Sequence, residues 1–182
     1  MADLTRRAAL LAAAALATGA AAPEQLAWGF TFTSIEDGTL PLEQFRGRVL
    51  LVTNTASFCG FTYQYKGLEA LHAELSPKGL TVVGVPSQDF DQESNSNAKV
   101  KQFCEATFGV QFPMAGLTHV RGPEAHPFYA WVHRTQDWEP SWNFNKVLIG
   151  RDGRIAGVFS SWSAPDGTKL RTAVQQALAA TV

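Results

Sequence analysis

Cysteine is scarce in this sequence. There are two, Cys59 and Cys104, and no Cys-x-x-Cys pair, since the residue three places beyond Cys59 is Thr62. A dithiol exchange centre of the Cys-x-x-Cys kind is therefore excluded, and Cys59 reads as a lone nucleophile. An excess of either charge is also missing: 15 Lys and Arg against 16 Asp and Glu leave a formal net charge of -1. Neither Lys nor Arg is clustered, which argues against nucleic acid or an anionic membrane surface as the main partner. The four histidines, His72, His119, His126 and His133, lack metal-ligand spacing with the cysteines, so no metal and no cofactor is assigned. His126, just before Pro127, reads as structural. No internal repeat and no low-complexity linker follows residue 22.

What is present is ordinary for a soluble globular domain: 182 residues, 46% hydrophobic, 17% charged. The first segment stands apart. Met1 to Ala22 has a short polar start, the pair Arg6-Arg7, an Ala/Leu run and small residues at Gly19-Ala20-Ala21-Ala22. That order is expected of a cleaved export signal, and the run is too short and too Ala-rich for a membrane span. Thr5-Arg6-Arg7 also resembles a twin-arginine signal, so both export routes stay open. The expectation is a protein exported to a bacterial periplasm, with no stable membrane insertion after cleavage. Its mature part, residues 23–182, is about 160 residues, the size of one domain. Two cysteines in an exported protein ordinarily suggest a structural disulfide, which is the alternative to a catalytic role.

Along that domain, Phe30-Thr31-Phe32 and Leu40-Pro41-Leu42 around Glu36-Asp37-Gly38 predict an N-terminal β-hairpin. Val49 to Thr53 is a buried strand. Gln64 to Ser76 is an amphipathic helix stopped at Pro77-Lys78-Gly79, with Gly79 suited to a left-handed cap. Leu80 to Val85 is a second buried strand, followed by a polar loop. Val100, Phe103, Cys104 and Thr107 have helical spacing over Asn97 to Phe108, closed by Gly109. Lys146–Ile149 and Ile155–Phe159 flank Arg151-Asp152-Gly153-Arg154, an Asp-Gly hairpin signal. Leu170, Val174, Ala177 and Leu178 mark a C-terminal helix begun near Ser163-Ala164-Pro165-Asp166. The order predicts a thioredoxin-like α/β fold, a central mixed sheet flanked by helices.

Cys59 sits in Ser57-Phe58-Cys59-Gly60-Phe61-Thr62, between the apolar strand and the first turns of a helix. Backbone N–H groups converge there and the helix dipole is positive. Both favour the thiolate, which is the reactive form. It lies at the carboxyl end of a strand, where open α/β sheets place their sites.

The run Asn54-Thr55-Ala56-Ser57-Phe58-Cys59-Gly60-Phe61-Thr62-Tyr63-Gln64-Tyr65, continuing Lys66-Gly67-Leu68-Glu69-Ala70-Leu71, resembles the active-site signature of the glutathione peroxidase family. Trp142-Asn143-Phe144 with Lys146-Val147-Leu148-Ile149 resembles that family's Trp-Asn-Phe block. Phe112-Pro113 and Ala125-His126-Pro127-Phe128-Tyr129 fall in order between them. The resemblance runs from about Trp28 to the C-terminus, and several ordered motifs are specific where one is not. It implies a thiol peroxidase reducing hydrogen peroxide or organic hydroperoxides, with a place in the response to oxidative stress. Cys59 would be the peroxidatic nucleophile, giving a sulfenic acid and releasing water or an alcohol. Trp142 and Asn143 would supply an indole and an amide N–H to the sulfur and to charge on the peroxide oxygens.

One position departs from the family's pattern. Where the family reads Phe-Pro-Cys-Asn-Gln-Phe, this chain reads Val85-Pro86-Ser87-Gln88-Asp89-Phe90, so the catalytic glutamine position falls on Asp89. Three arrangements are open for that carboxyl: it points at a backbone donor, it is protonated, or it receives the proton passed to the leaving oxygen. Gln88 could turn in and supply the amide. The expectation is that Asp89 lies near Cys59 and relays a proton or positions the site, against a plain turn aspartate.

Cys104 is read two ways. On the apolar face of its helix it is a small core residue. Gln102-Phe103-Cys104 followed by Phe108-Gly109-Val110 and Phe112-Pro113 also resembles the resolving-cysteine segment of two-cysteine family members. That resemblance implies a Cys59–Cys104 disulfide, reached through partial unwinding of the helix because a disulfide needs Cα atoms within about 7 Å. The stretch from Tyr129 to Trp142 is too short for the insertion of tetrameric, glutathione-using members. The resemblance therefore implies a monomer whose reductant is a thioredoxin-like dithiol protein rather than glutathione. Two other functions fit the same cysteines: a peroxide sensor passing oxidation to a partner protein, and an inactive module with a structural disulfide.

Overall fold

The computed structural model describes residues 24–181. The expected export segment, Met1 to Ala22, lies outside the described residues. Strands β1 (Thr31–Thr33) and β2 (Thr39–Pro41) form the expected N-terminal hairpin, with Phe32 opposite Leu40. The main sheet contains β3 (Val49–Thr55), β4 (Leu80–Pro86), β5 (Lys146–Ile149) and β6 (Ile155–Phe159) in the order β4-β3-β5-β6. β3 runs parallel to β4 and antiparallel to β5, so the sheet is mixed, as the sequence predicts.

The unbroken apolar runs of β3 and β4 follow from burial on both faces. Val49, Leu51, Leu80, Val82 and Leu148 face one core, while Leu50, Val52, Val83, Val85, Val147 and Ile149 face the other. On the first face lie helices α1 (Gln64–Leu75), α2 (Asn97–Phe108) and α4 (Thr168–Ala179), which bury Leu68, Leu71, Val100, Cys104, Leu170 and Val174. The second face is closed by the N-terminal hairpin and by α3 (Pro127–Gln136), through Phe32, Leu40, Phe128, Trp131 and Val132. The sheet thus carries the positions at its β3 and β4 carboxyl ends on a rigid frame.

The helix ends follow local chemistry. A 3-10 turn over Ser76–Lys78 prolongs α1 and is closed by Gly79 at φ 102°, and α2 is closed by Gly109 at φ 65°. Both are left-handed positions where a Cβ is disfavoured. The β5–β6 turn also forms as expected, with Gly153 N donating to Gly150 O at 3.0 Å. Helix α4 starts at Thr168, after a turn in which Gly167 N donates to Ala164 O.

Helix α3 was not anticipated. Its signal was present: Pro127 stands at the first helical position, and Phe128, Trp131 and Val132 keep helical spacing. The segment is short, and its aromatics have weak helix propensity outside a packed context. His126 has the structural role expected of it. Its Nδ1 accepts from Phe128 N at 3.2 Å, and its ring stacks on Phe32 with centroids 4.1 Å apart.

Candidate active site

Strand β3 delivers the chain into a tight turn between Ala56 and Tyr63. Thr62 N donates to Cys59 O at 3.0 Å, and Tyr65 N donates to Thr62 O at 3.1 Å. The Thr62 hydroxyl also donates to Cys59 O. These bonds wind the backbone toward α1 before the helix proper begins, and the turn leaves N–H groups without helical partners. One of them, Phe61 N, donates to Cys59 Sγ at 3.4 Å. Cys59 is 7% exposed: inside the wall but next to its surface. Both cysteines are free thiols.

The segment carrying Trp142 and Asn143 is held by buried amides. Asn54, near the end of β3, donates through Nδ2 to Trp142 O at 3.0 Å and accepts from Asn145 N at 3.0 Å. Asn145 Nδ2 donates to Trp142 O at 2.7 Å and to Ser161 Oγ at 2.9 Å, and Ser161 Oγ donates to Asn143 O at 2.7 Å. Phe144 takes a left-handed φ of 61°, which a branchless glycine would ordinarily supply. Its ring is fully buried edge-on to Tyr65 at 5.2 Å, and that packing holds the turn.

Beneath this segment lies Lys146, fully buried. Its Nζ donates to Gln64 Oε1 at 2.6 Å and to Phe144 O at 2.8 Å, and Gln64 Nε2 donates to Ser161 O at 2.7 Å. Among the described residues no carboxylate pairs with it, and burial pushes its ammonium down to about 7. A buried ammonium without a counter-ion survives only if its N–H groups find acceptors, and here the acceptors are neutral oxygens.

Gln92, a residue with no signal in the sequence, joins the two halves of the site. Its main-chain oxygen accepts from Phe58 N at 3.0 Å, immediately before Cys59. Its side-chain Oε1 accepts from Asn143 Nδ2 at 3.0 Å. Trp142, 40% exposed, lies against Phe90 with centroids 5.4 Å apart, and the Arg121 guanidinium stands over the other ring at 5.4 Å.

Asp89 is committed elsewhere, to the 119–121 loop. Its Oδ1 pairs with His119 Nδ1 at 2.6 Å, and its Oδ2 accepts from Val120 N at 2.6 Å and Arg121 N at 3.2 Å. Of the arrangements left open by the sequence, the carboxyl pointing at backbone donors is the one found. Two N–H groups and an imidazole are a better set of partners for an anion than a thiolate, which would repel it. The carboxylate in turn raises the pKa of His119. Asp89 thereby fixes the loop that carries Arg121 over Phe90. Gln88 does not turn in either: its Nε2 donates to Glu93 O at 2.8 Å, bracing the loop.

Cys104 lies in the middle of α2, fully buried. Its surroundings are mostly apolar, and burial pushes its thiol up to about 11, with the Tyr65 hydroxyl opposing that rise. The Tyr65 hydroxyl also meets Thr55. Glu93 sits nearby, buried, with Oε1 accepting from Ser94 N at 2.7 Å and its carboxyl meeting Ser57. Burial raises the pKa of Glu93. Among the described residues, no group of His, Cys, Asp and Glu could hold a metal ion.

Comparison with known proteins bears on this arrangement. The family model described as glutathione peroxidase matches residues 27–133. Hydroperoxy fatty acid reductase gpx1 of Synechocystis is 36% identical over 150 residues, covering 76% of this chain and 89% of the relative. Human glutathione peroxidase 7 is 40% identical over 157 residues, covering 84% of each. Among solved structures, Trgpx in its apo form superposes with a TM-score of 0.68 at 31% identity, over 85% of this chain and 97% of the other. A putative thiol:disulfide interchange protein DsbE from Chlorobium tepidum, at 20% identity and a TM-score of 0.61, shares the fold alone. The fold is thioredoxin-like, and the chain belongs to the glutathione peroxidase family, a peroxidase oxidoreductase acting on hydroperoxides.

Proposed function

We propose that the peroxidase works through Cys59, with Cys104 resolving it and a thioredoxin-like dithiol protein as reductant. The Cys59 thiolate attacks the peroxide, an S–O bond forms as the O–O bond breaks, and the sulfur becomes a sulfenic acid. The departing oxygen leaves as water or an alcohol once protonated. Trp142 Nε1–H and the Asn143 amide are the donors for the charge that develops on the oxygens. The Cys104 thiol then displaces water from the sulfenic acid, forming a Cys59–Cys104 disulfide that an external dithiol reduces by exchange.

The observation that carries this reading is Gln92, which binds the turn of Cys59 through its main chain and Asn143 through its side chain. Resolution requires α2 to open, since Cys104 is buried at mid-helix. The short passage from the end of α3 at Gln136 to Trp142 supports a monomer and a protein reductant. Arg6-Arg7 and the Ala/Leu run support export to a periplasm, and the activity fits a response to oxidative stress.

The surroundings of Cys59 favour organic hydroperoxides with an apolar body. Phe58 is 70% exposed, Tyr63 62% and Trp162 84%, and Phe61 packs edge-on to Trp162 at 5.0 Å. Exposed aromatics beside Cys59 in the chain, with Tyr63 and Trp162 both against Phe61, offer a surface for apolar groups. The relative named hydroperoxy fatty acid reductase is consistent with this. The test is peroxide consumption by residues 23–182 with a thioredoxin or with glutathione, using hydrogen peroxide and an apolar organic hydroperoxide. Turnover with thioredoxin, and a Cys59–Cys104 link by mass spectrometry after one equivalent of peroxide, are expected. Turnover with glutathione alone, or a stable sulfenic acid with Cys104 free, overturns the reading.

A further inference from the structure

We infer that Lys146 is a positioning residue of the peroxidatic site, its amino group tying the helix that follows Cys59 to the segment that carries Trp142 and Asn143. The inference rests on the reading of Cys59, Trp142 and Asn143 given above. Lys146 begins β5 opposite Thr53 of β3, and its side chain is fully buried. Its Nζ donates to Gln64 Oε1 at 2.6 Å and to Phe144 O at 2.8 Å. Gln64 opens α1, and its N donates to Phe61 O at 2.9 Å within the turn in which Thr62 N donates to Cys59 O. The amide is held by its other end, since Nε2 donates to Ser161 O at 2.7 Å, so its oxygen faces Lys146. Phe144 follows Asn143 directly and has the left-handed φ of 61°. One amino group thus spans the turn of the nucleophile and the segment of its two donors.

An apolar side chain of the same length would fill this place without the penalty of burying an amine. What the amine adds is two directed bonds, and their strength depends on its charge. An ammonium makes charge-assisted bonds, roughly twice as strong as those of a neutral donor. The immediate surroundings fix neither state. Gln64 from α1, Thr53 from β3 and Phe159 from β6 lie beside Lys146 without charge. The titratable and charged groups packed on the same core are Cys59, Tyr65 of α1, Cys104 of α2 with Glu93 and Glu105 near it, and Lys169 of α4 over the Phe159 ring at 6.0 Å. None of these carboxylates pairs with Lys146, and burial brings its titration down to about 7. The two bonds are therefore strongest below that pH and weaken above it, whereas a thiol ionises as pH rises. A nucleophile or donor displaced by an ångström loses much of its effect on the transition state.

The test compares wild type with Lys146→Met, which fills the volume without either bond, and with Gln64→Glu, which keeps an oxygen on Nζ and supplies a counter-ion. Peroxide oxidation of Cys59 is followed by stopped flow from about pH 6 to about pH 9. Alkylation of Cys59 by iodoacetamide, read by peptide mass spectrometry over the same range, gives the thiolate fraction. The readout is the peroxide rate constant per thiolate. Lys146→Met should lie about tenfold below wild type at about pH 6 and stay flat, while wild type falls toward it as pH rises. In Gln64→Glu that fall should move to higher pH, because a carboxylate holds the ammonium charged. A loss in Lys146→Met that is equal at every pH marks a merely structural role and overturns the inference, as does a rate per thiolate unchanged from wild type. If Lys146→Met does not fold, the other two profiles decide, and wild type and Gln64→Glu falling at the same pH overturns it. If wild-type Cys59 does not react with peroxide at all, it is the reading of the site that fails.

Discussion

The two cysteines are both buried, yet they sit in opposite kinds of place. Cys59 lies in a turn, where backbone N–H groups lack helical partners and one reaches its sulfur at 3.4 Å. Cys104 lies at the middle of a helix, where backbone N–H groups are engaged within the helix, with a thiol pushed up to about 11 by burial. Burial by itself therefore says little about a thiol. What decides is whether the burying groups offer polar hydrogens to the charged form. The same contrast extends to the scaffolds: a dense amide frame surrounds Trp142 and Asn143, whereas the neighbours of Cys104 within α2 and α1 are chiefly side chains of the core.

The largest effect should come from exchanging the two thiols for hydroxyls. Cys59→Ser should lower peroxide reduction by about three orders of magnitude or more, since it removes the nucleophile. Cys104→Ser should leave the first oxidation of Cys59 intact, seen as one sulfenic acid trapped by dimedone, while steady-state turnover with thioredoxin falls away. If both variants lose the first oxidation equally, the contrast between the two sites is wrong.

An intermediate effect concerns the frame under the Cys59 site. Burial depresses Lys146 from 10.5 to about 7, so between those values the unfolded chain binds a proton that the folded chain does not. The favourable contribution is present above 10.5 and is lost as pH falls through the folded value. Wild-type unfolding free energy, measured against Lys146→Met by chemical denaturation, should therefore rise with pH across this window. The limiting slope is about 1.4 kcal/mol per pH unit. A flat difference would mean that Lys146 keeps its proton throughout.

The smallest catalytic effect is expected at Asp89. Asp89→Asn loses a charged acceptor for His119 and two backbone N–H groups, at a cost of about 1–2 kcal/mol in thermal or denaturant unfolding. Its rate constant for peroxide should change by less than about threefold, because its partners lie on the 119–121 loop. A larger kinetic loss with an altered pH profile would restore a proton-relay role.

Much of the fold was legible because the signals are local. Val49–Thr55 and Leu80–Pro86 announce themselves as apolar runs, and Gly79 and Gly109 mark their helix ends. Helix α3 was not, because its aromatics belong equally well to strands and only the second core, with Phe32 and Leu40, selects the helical form. In the site, Cys59, Trp142 and Asn143 were named from their motifs. Gln92 and the frame of Asn54, Gln64, Asn145, Lys146 and Ser161 were not, since their bonds join residues far apart in the chain.

By itself the sequence determined a strand–turn–helix unit with one cysteine in the turn, because periodicity, turn residues and caps act over a few neighbouring positions. Only the tertiary structure decided which amide meets Asn143 and where the Asp89 carboxylate goes. Each polar group takes the best partner that folding brings within reach, and for Asp89 that partner was the loop at His119 rather than the thiol.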